Sequence, residues 1–327
     1  MTGGAGFIGS HVAEHLLRAG CQVSVIDDLN DFYAPKLKLA NLAEISSTSG
    51  LSFYEADIRD AARVSEIFAA TRPDAVIHLA ARAGVRPSLE QPLLYGQVNV
   101  HGTAVLLEAC RTFGVPKFVF ASSSSVYGAT NKIPFSEEDP TSRPISPYAA
   151  TKLSGENICY TYSHLFGIQV VCLRFFTVYG PRQRPDLAIR KFTGMIDRGD
   201  PIPVYGDGST RRDYTYVDDI VQGVLAAMRL KCSFEIFNLG NAHPITLTTL
   251  IQTIEDSLGK RANICRLPLQ PGDVPVTYAD ISKAEKLLGY SPVTGISRGV
   301  HQFVRWYEGS RSSHERAVAI AVRQATT

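Results

Sequence analysis

The chain has 327 residues, 45% of them hydrophobic and 20% charged, which is enough for one large or two modest domains and excludes a small scaffold that needs staples. With 33 Lys plus Arg against 31 Asp plus Glu, the formal net charge is +2. That balance does not suit a general phosphate-backbone binder, so nucleic acid is not an expected partner.

The first element is a glycine-rich loop, Gly3-Gly4-Ala5-Gly6-Phe7-Ile8-Gly9, preceded only by Met1 and Thr2. Such a loop ordinarily follows a buried strand in the middle of a doubly wound sheet and aims at a cofactor. Four missing apolar residues, at roughly 1.5–3 kcal/mol each, would be worth about 6–12 kcal/mol, comparable to a whole domain's stability. The expectation is that the first strand is absent from the sequence as written. The natural product is expected to begin several residues upstream, with a short Val/Ile-rich run.

Ser10 to Ala19 reads as a helix with Gly20 as its stop, and Val23 to Ile26 as a strand ending at Asp27-Asp28. Further strands read at Leu51 to Ala56, Ala75 to Leu79, Phe118 to Ser122 and Gln169 to Phe175, separated by segments of helical period. This alternation argues an α/β fold, a doubly wound parallel sheet of Rossmann type with helices on both faces. Beyond residue 176 the pattern loosens into stretches such as Gly180 to Pro185 and Pro201 to Gly208, which read as a smaller α+β substrate-binding lobe. The expected division is 1–175 for the dinucleotide-binding domain, with later segments returning to it, 176–308 mainly for the lobe, and 309–327 for a polar tail, frayed or a short helix. The six cysteines lie far apart with no CxxC pair, which fits reduced thiols in a cytoplasmic protein better than disulfides or a zinc site. No apolar run approaches the roughly 18 residues needed to cross a bilayer, and neither a signal peptide nor a membrane partner is expected.

The loop fits Gly4-x-Gly6-x-x-Gly9 and Gly3-x-x-Gly6-x-x-Gly9, and either register supplies the tight turn, close backbone approach and helix amino terminus that a pyrophosphate needs. Asp27, at the end of the second strand, is placed to accept hydrogen bonds from an adenosine ribose. An acid there repels a 2′-phosphate, so NAD is expected rather than NADP. His11-Val12-Ala13-Glu14-His15 matches a zinc-peptidase pattern, but the loop directly before it already assigns that helix to anion binding, so no metal is expected. Ser122 to Ser125 follow a strand, and Pro147-Tyr148-Ala149-Ala150-Thr151-Lys152 opens a helix. Tyr148 and Lys152, four apart, share a helix face. A phenol is a poor base at neutral pH, and a close ammonium favours the phenolate.

On these residues the sequence resembles the extended short-chain dehydrogenase/reductase family, in its nucleotide-sugar epimerase and dehydratase branch. The resemblance runs from Thr2 to about Tyr307. It is carried by the glycine loop, Asp57-Ile58, His78-Leu79-Ala80-Ala81, Asn99, Ser123, Tyr148-x-x-x-Lys152, Gly206-Asp207-Gly208 with Arg212-Asp213, and Pro271-Gly272-Asp273. It implies a cofactor site of Gly3, Gly6, Phe7, Ile8, Gly9, Asp27, Asn30, Asp57, Ile58, Leu79, Ala80, Ala81, Asn99, Tyr148 and Lys152. Asp57 and Ile58 would border the adenine, and Lys152 would hold the nicotinamide ribose. Catalysis would rest on Ser123, Tyr148 and Lys152, and the family is homodimeric through helices near Leu93 to Phe113 and Tyr148 to Phe166.

Two segments narrow the branch: Ala83-Gly84-Val85-Arg86-Pro87-Ser88, and Arg174 to Asp186. They look like UDP-glucuronate 4-epimerases, whereas galactose-type enzymes usually carry Asn where Thr177 stands. A hexuronate brings a carboxylate, for which Ser124, Ser125, Thr177 and Arg184 offer hydroxyls and a guanidinium. Arg86, Val204, Arg212 and Asp273 complete the expected substrate set. Dehydratases of the branch follow the Ser123 position with Asp-Glu; Ser124-Ser125 cannot perform that acid/base step. Gln270 stands where galactose-type epimerases place a phosphate-binding arginine. The expected activity is therefore NAD-dependent inversion of a UDP-hexuronate at C4 through a transient 4-keto sugar. A UDP-glucose or UDP-galactose 4-epimerase, a UDP-glucuronate decarboxylase and a non-catalytic NAD-binding regulator remain as alternatives.

Overall fold

The computed structural model describes residues 1–130, 132–268 and 274–325, with side chains described as far as residue 310. In chain order the elements of the first half are α1 (Phe7–Arg18), β1 (Val23–Asp27), α2 (Pro35–Ser46), β2 (Leu51–Glu55), α3 (Ala61–Thr71), β3 (Val76–His78), α4 (Val85–Glu90), α5 (Pro92–Tyr95), α6 (Gly102–Phe113), β4 (Lys117–Ser123), α7 (Pro147–Phe166) and β5 (Gln169–Phe175). A π-helical turn, Gly96–His101, joins α5 to α6. The second half holds β6 (Thr177–Tyr179), α8 (Ala188–Arg198), β7 (Pro201–Tyr205), β8 (Arg211–Arg212), β9 (Tyr214–Tyr216), α9 (Val217–Arg229), β10 (Phe234–Leu239), β11 (Ile245–Thr246), α10 (Leu247–Leu258), β12 (Asn263–Leu267), α11 (Ser282–Leu288) and α12 (Ile296–Ala325).

The main sheet is parallel throughout. β1 pairs with β2, and β3, β4, β5 and β10 follow one another on the other side. Such a sheet is buried on both faces, so its strands carry near-continuous apolar runs; in β4, Phe118, Val119 and Phe120 are all buried, as are Val170 to Leu173 in β5. Between β1 and β3 lies Thr2, bridged in parallel to both Ile26 and His78. Its N–H donates to Ile77 O at 3.0 Å and the Gly3 N–H to Ile26 O at 2.8 Å. Met1 to Gly3 thus join the two halves of the sheet.

Beyond β5 the chain builds three two-stranded ribbons: β6 with β9, β7 with β12, and β8 with β11. α10 packs against α8 and α12. The polar end expected as frayed or a short helix belongs to α12, which runs to Ala325 and whose first turns bury Val300, Phe303 and Val304.

Candidate active site

One cleft of about 320 Å³ opens along the carboxyl ends of the parallel strands, where open α/β sheets place their ligands. At its centre the glycine loop crosses from Thr2 into α1. Gly3 has φ +71°, and a Cβ there would stand 2.6 Å from Ala80 N; at Gly9 it would stand 2.0 Å from Gly3 O. No side chain caps α1 at Gly6, and no acid sits in its first turn. Its first N–H groups therefore face the cleft with positive potential, as a pyrophosphate requires.

Asp27 closes β1 and is buried. It accepts from Ala5 N at 3.2 Å and Leu29 N at 3.0 Å. Burial raises its carboxyl pKa, opposed first by the Lys38 ammonium, which lies 3.6 Å away with its own side chain 5% exposed. Lys38 also sits 5.4 Å from the Tyr33 ring centroid. No periodicity in α2 marks Lys38, a lysine that the sequence reading passed over. Asp57 is gripped by the Arg59 side chain, with Nε 2.9 Å from Oδ2, which holds its carboxyl below the usual range.

The chemistry-bearing side chains converge at the other end of the cleft. Tyr148 and Lys152 stand on one face of α7, which Ser146 caps by accepting from Ala149 N at 3.1 Å. Burial raises the Tyr148 phenol, while the Ser123 hydroxyl and then the Arg184 guanidinium draw it down. Ser123 Oγ also accepts from Ser125 Oγ at 2.9 Å, and Tyr95 meets the Tyr148 ring edge-on at 6.2 Å. Lys152 stands one helical turn beyond Tyr148 on the same face. Its ammonium donates to Ala121 O at 2.7 Å, because a buried ammonium must find an acceptor, and burial pushes its pKa down to about 8.

Of the expected residues, Gly3, Gly6, Phe7, Ile8, Gly9, Asp27, Asn30, Asp57, Ile58, Leu79, Ala80, Ala81, Ser123, Tyr148, Lys152, Thr177 and Arg184 all line this cleft. Asn99 stands behind the wall instead. Its amide donates to Arg82 O at 2.9 Å and Thr151 Oγ1 at 3.0 Å, and accepts from Arg82 N at 2.8 Å, so it braces the 79–82 segment against α7. Val204 is 2% exposed in the core of β7, leaving only its backbone for a ligand. Ser124 and Ser125 form the turn after Ser123. Arg86 lies 5.2 Å from the Tyr205 ring centroid, and Arg212 donates from Nη1 to Arg211 O at 2.9 Å. Asp273 and Gln270 fall outside the described residues. A buried network that carries no periodic sequence signal lies beneath the cleft. Ser122 donates to Glu156, which is paired with Arg174, and Arg174 Nη1 donates to Tyr127 at 3.0 Å.

The family described as GDP-mannose 4,6 dehydratase matches residues 1–303. The chain belongs to that family. Within the GDP-mannose 4,6 dehydratase family it is 45% identical over 307 residues to the UDP-glucuronate 4-epimerase of Thermodesulfobacterium geofontis, covering 94% of each chain. The UDP-glucuronic acid 4-epimerase of Bacillus cereus, solved with UDP-glucuronic acid and NAD, superposes with a TM-score of 0.88 at 38% identity, over 94% of this chain and 98% of that one. A UDP-glucose 4-epimerase of Thermotoga maritima, solved with UDP-glucose, gives 0.87 at 35% identity, over 94% and 98%. The glycine cradle without room for a Cβ, the uncapped α1 terminus and the buried acid at the end of β1 fit NAD, in agreement with the cofactor of the Bacillus cereus structure.

Proposed function

We propose that the chain inverts C4 of UDP-glucuronate to give UDP-galacturonate. The observation that carries this reading is the convergence of Ser123, Tyr148, Lys152 and Arg184 on one cleft with the glycine cradle. NAD, when bound there, supplies the oxidation of C4 to a ketone and its reversal. The chain's residues handle the proton and the orientation. Tyr148, as phenolate, accepts the C4 hydroxyl proton, and Ser123 hydrogen-bonds the same oxygen. The Lys152 ammonium would hold the nicotinamide ribose of the bound cofactor. A phenol raised by burial needs positive charge near it to ionise, and Arg184 already acts in that direction.

Inversion requires the 4-keto sugar to offer both faces, so the sugar turns while its UDP end stays anchored, with Arg212 as a diphosphate ligand. The intermediate is a β-keto acid. It loses CO2 when the bond from C5 to the carboxylate stands perpendicular to the carbonyl plane. Thr177 and Arg184 hold the carboxylate near that plane and preserve the product.

Residues 1–175, with later segments such as β10 returning to the same sheet, form the NAD-binding unit, and 176–308 most of the substrate lobe. The enzyme works as a homodimer in the cytoplasm. Support for pairing with a second copy comes from Leu165 and Phe166, exposed at the end of α7, and Leu93, 81% exposed in α5. The six free cysteines suit a reducing compartment. Incubating the purified protein with UDP-glucuronate and identifying products by mass and sugar NMR tests the reading. An equilibrium mixture with UDP-galacturonate supports it. A product lighter by CO2 moves the assignment to a decarboxylase, and faster turnover of UDP-glucose moves it to a neutral-hexose epimerase.

A further inference from the structure

We propose that Asp186 is a specificity-determining positioning residue, which presents Arg184 to the carboxylate of a UDP-hexuronate. The inference rests on the function proposed above. Arg184 donates from Nε to Asp186 Oδ1 at 3.0 Å and from Nη2 to Oδ2 at 2.9 Å, so one whole edge of its fork is taken. Its guanidinium carbon lies 5.2 Å from the centroid of the Phe32 ring, which covers one face. Among the described residues no protein acceptor meets Nη1. The Nη1 end is therefore the part left for a ligand.

The two side chains are also ordered with respect to the cleft. Arg184 lines it and Asp186 does not. Arg184 is 18% exposed and Asp186 44% exposed, so the acid stands on the outer side. Arg184 draws down the Tyr148 phenol, whereas Asp186 is not among the groups acting on it. The sequence of groups thus runs Asp186, Arg184, then the reacting centre. A planar fork held on one edge and one face meets a carboxylate in a fixed plane. A neutral hexose offers only a hydroxyl at the same place and gains little from that orientation. Without Asp186 the long arginine side chain is free to leave the geometry that keeps the carboxylate coplanar with the ketone.

A double-mutant cycle tests this, using wild type, Asp186→Asn, Arg184→Met and the double variant. Steady-state kinetics with UDP-glucuronate are followed together with the fraction of decarboxylated product. Each single substitution is expected to raise KM on the order of tenfold and to release some pentose product, while the double variant is no worse than Arg184→Met alone. The inhibition constant of UDP is expected to stay unchanged in all four. A KM for Asp186→Asn within twofold of wild type, or below it, overturns the inference, as does additivity in the double variant. Failure of the wild type itself to convert UDP-glucuronate overturns the proposed function and this inference together, and is seen without any variant.

Discussion

Glu156 and Arg174 form a bidentate ion pair beneath the face of α7 that carries Tyr148 and Lys152, with Nε to Oε1 at 2.9 Å, Nη2 to Oε2 at 2.8 Å and both side chains 3% exposed. Tyr148, Lys152 and Glu156 follow one another at four-residue spacing, so the pair lies under the helix stripe that Tyr148 and Lys152 share. Through Ser122 and Tyr127 it ties the end of β4 and the turn after Ser123 to β5.

Breaking a buried pair from one side leaves the other charge uncompensated, which costs about 3–5 kcal/mol. Glu156→Gln is therefore expected to lower the unfolding free energy in urea by about that amount. Glu156→Gln combined with Arg174→Met should recover part of the loss, since no guanidinium is then stranded. A single variant as stable as wild type would show that the pair contributes nothing net.

Tyr148→Phe removes the proposed proton acceptor and leaves the ring in place against Tyr95. It is expected to lower kcat by at least about 10²–10⁴-fold with NAD still bound. Ser123→Ala, which removes one hydrogen bond to the same oxygen, should cost less. Single-turnover kinetics on protein of confirmed NAD content check both, and a Tyr148→Phe enzyme with near-normal turnover would remove Tyr148 from its role.

His78 is buried on β3, with Nδ1 2.7 Å from Thr2 Oγ1 and Nε2 3.0 Å from Thr103 Oγ1. Burial pushes its pKa from 6.5 down to about 3. Below 6.5 the unfolded chain takes up a proton that the folded chain refuses, so this contribution to stability is complete above that pH. It falls toward pH 3 at up to ~1.4 kcal/mol per pH unit. His11, pushed by burial to about 4, adds the same slope over a shorter window. Urea midpoints between pH 7.5 and 5 measure this, and His78→Gln should show a shallower acid decline than wild type. Parallel declines would assign the acid sensitivity elsewhere.

The glycine loop was readable because backbone needs force residue type: a Cβ at Gly9 has no space beside Gly3 O. Tyr148 and Lys152 were readable because their spacing fixes a shared face, and the alternation of apolar runs showed the parallel sheet. Lys38 was not, since a buried lysine inside Pro35–Ser46 looks like any solvated one until Asp27 is seen beside it. Glu156 was hidden for the same reason, its partner Arg174 being 18 residues away. The bracing role of Asn99 depends on the π-helical turn that carries it, for which the sequence bears no periodic sign.

The central claim is that C4 itself is oxidised and restored within one site, with Tyr148 handling only the hydroxyl proton. UDP-glucuronate carrying deuterium at C4, incubated with the enzyme in ordinary water, tests it most directly. The expected product is UDP-galacturonate with the deuterium still on C4 and none in solvent. Product with hydrogen at C4 and the label in water would contradict it.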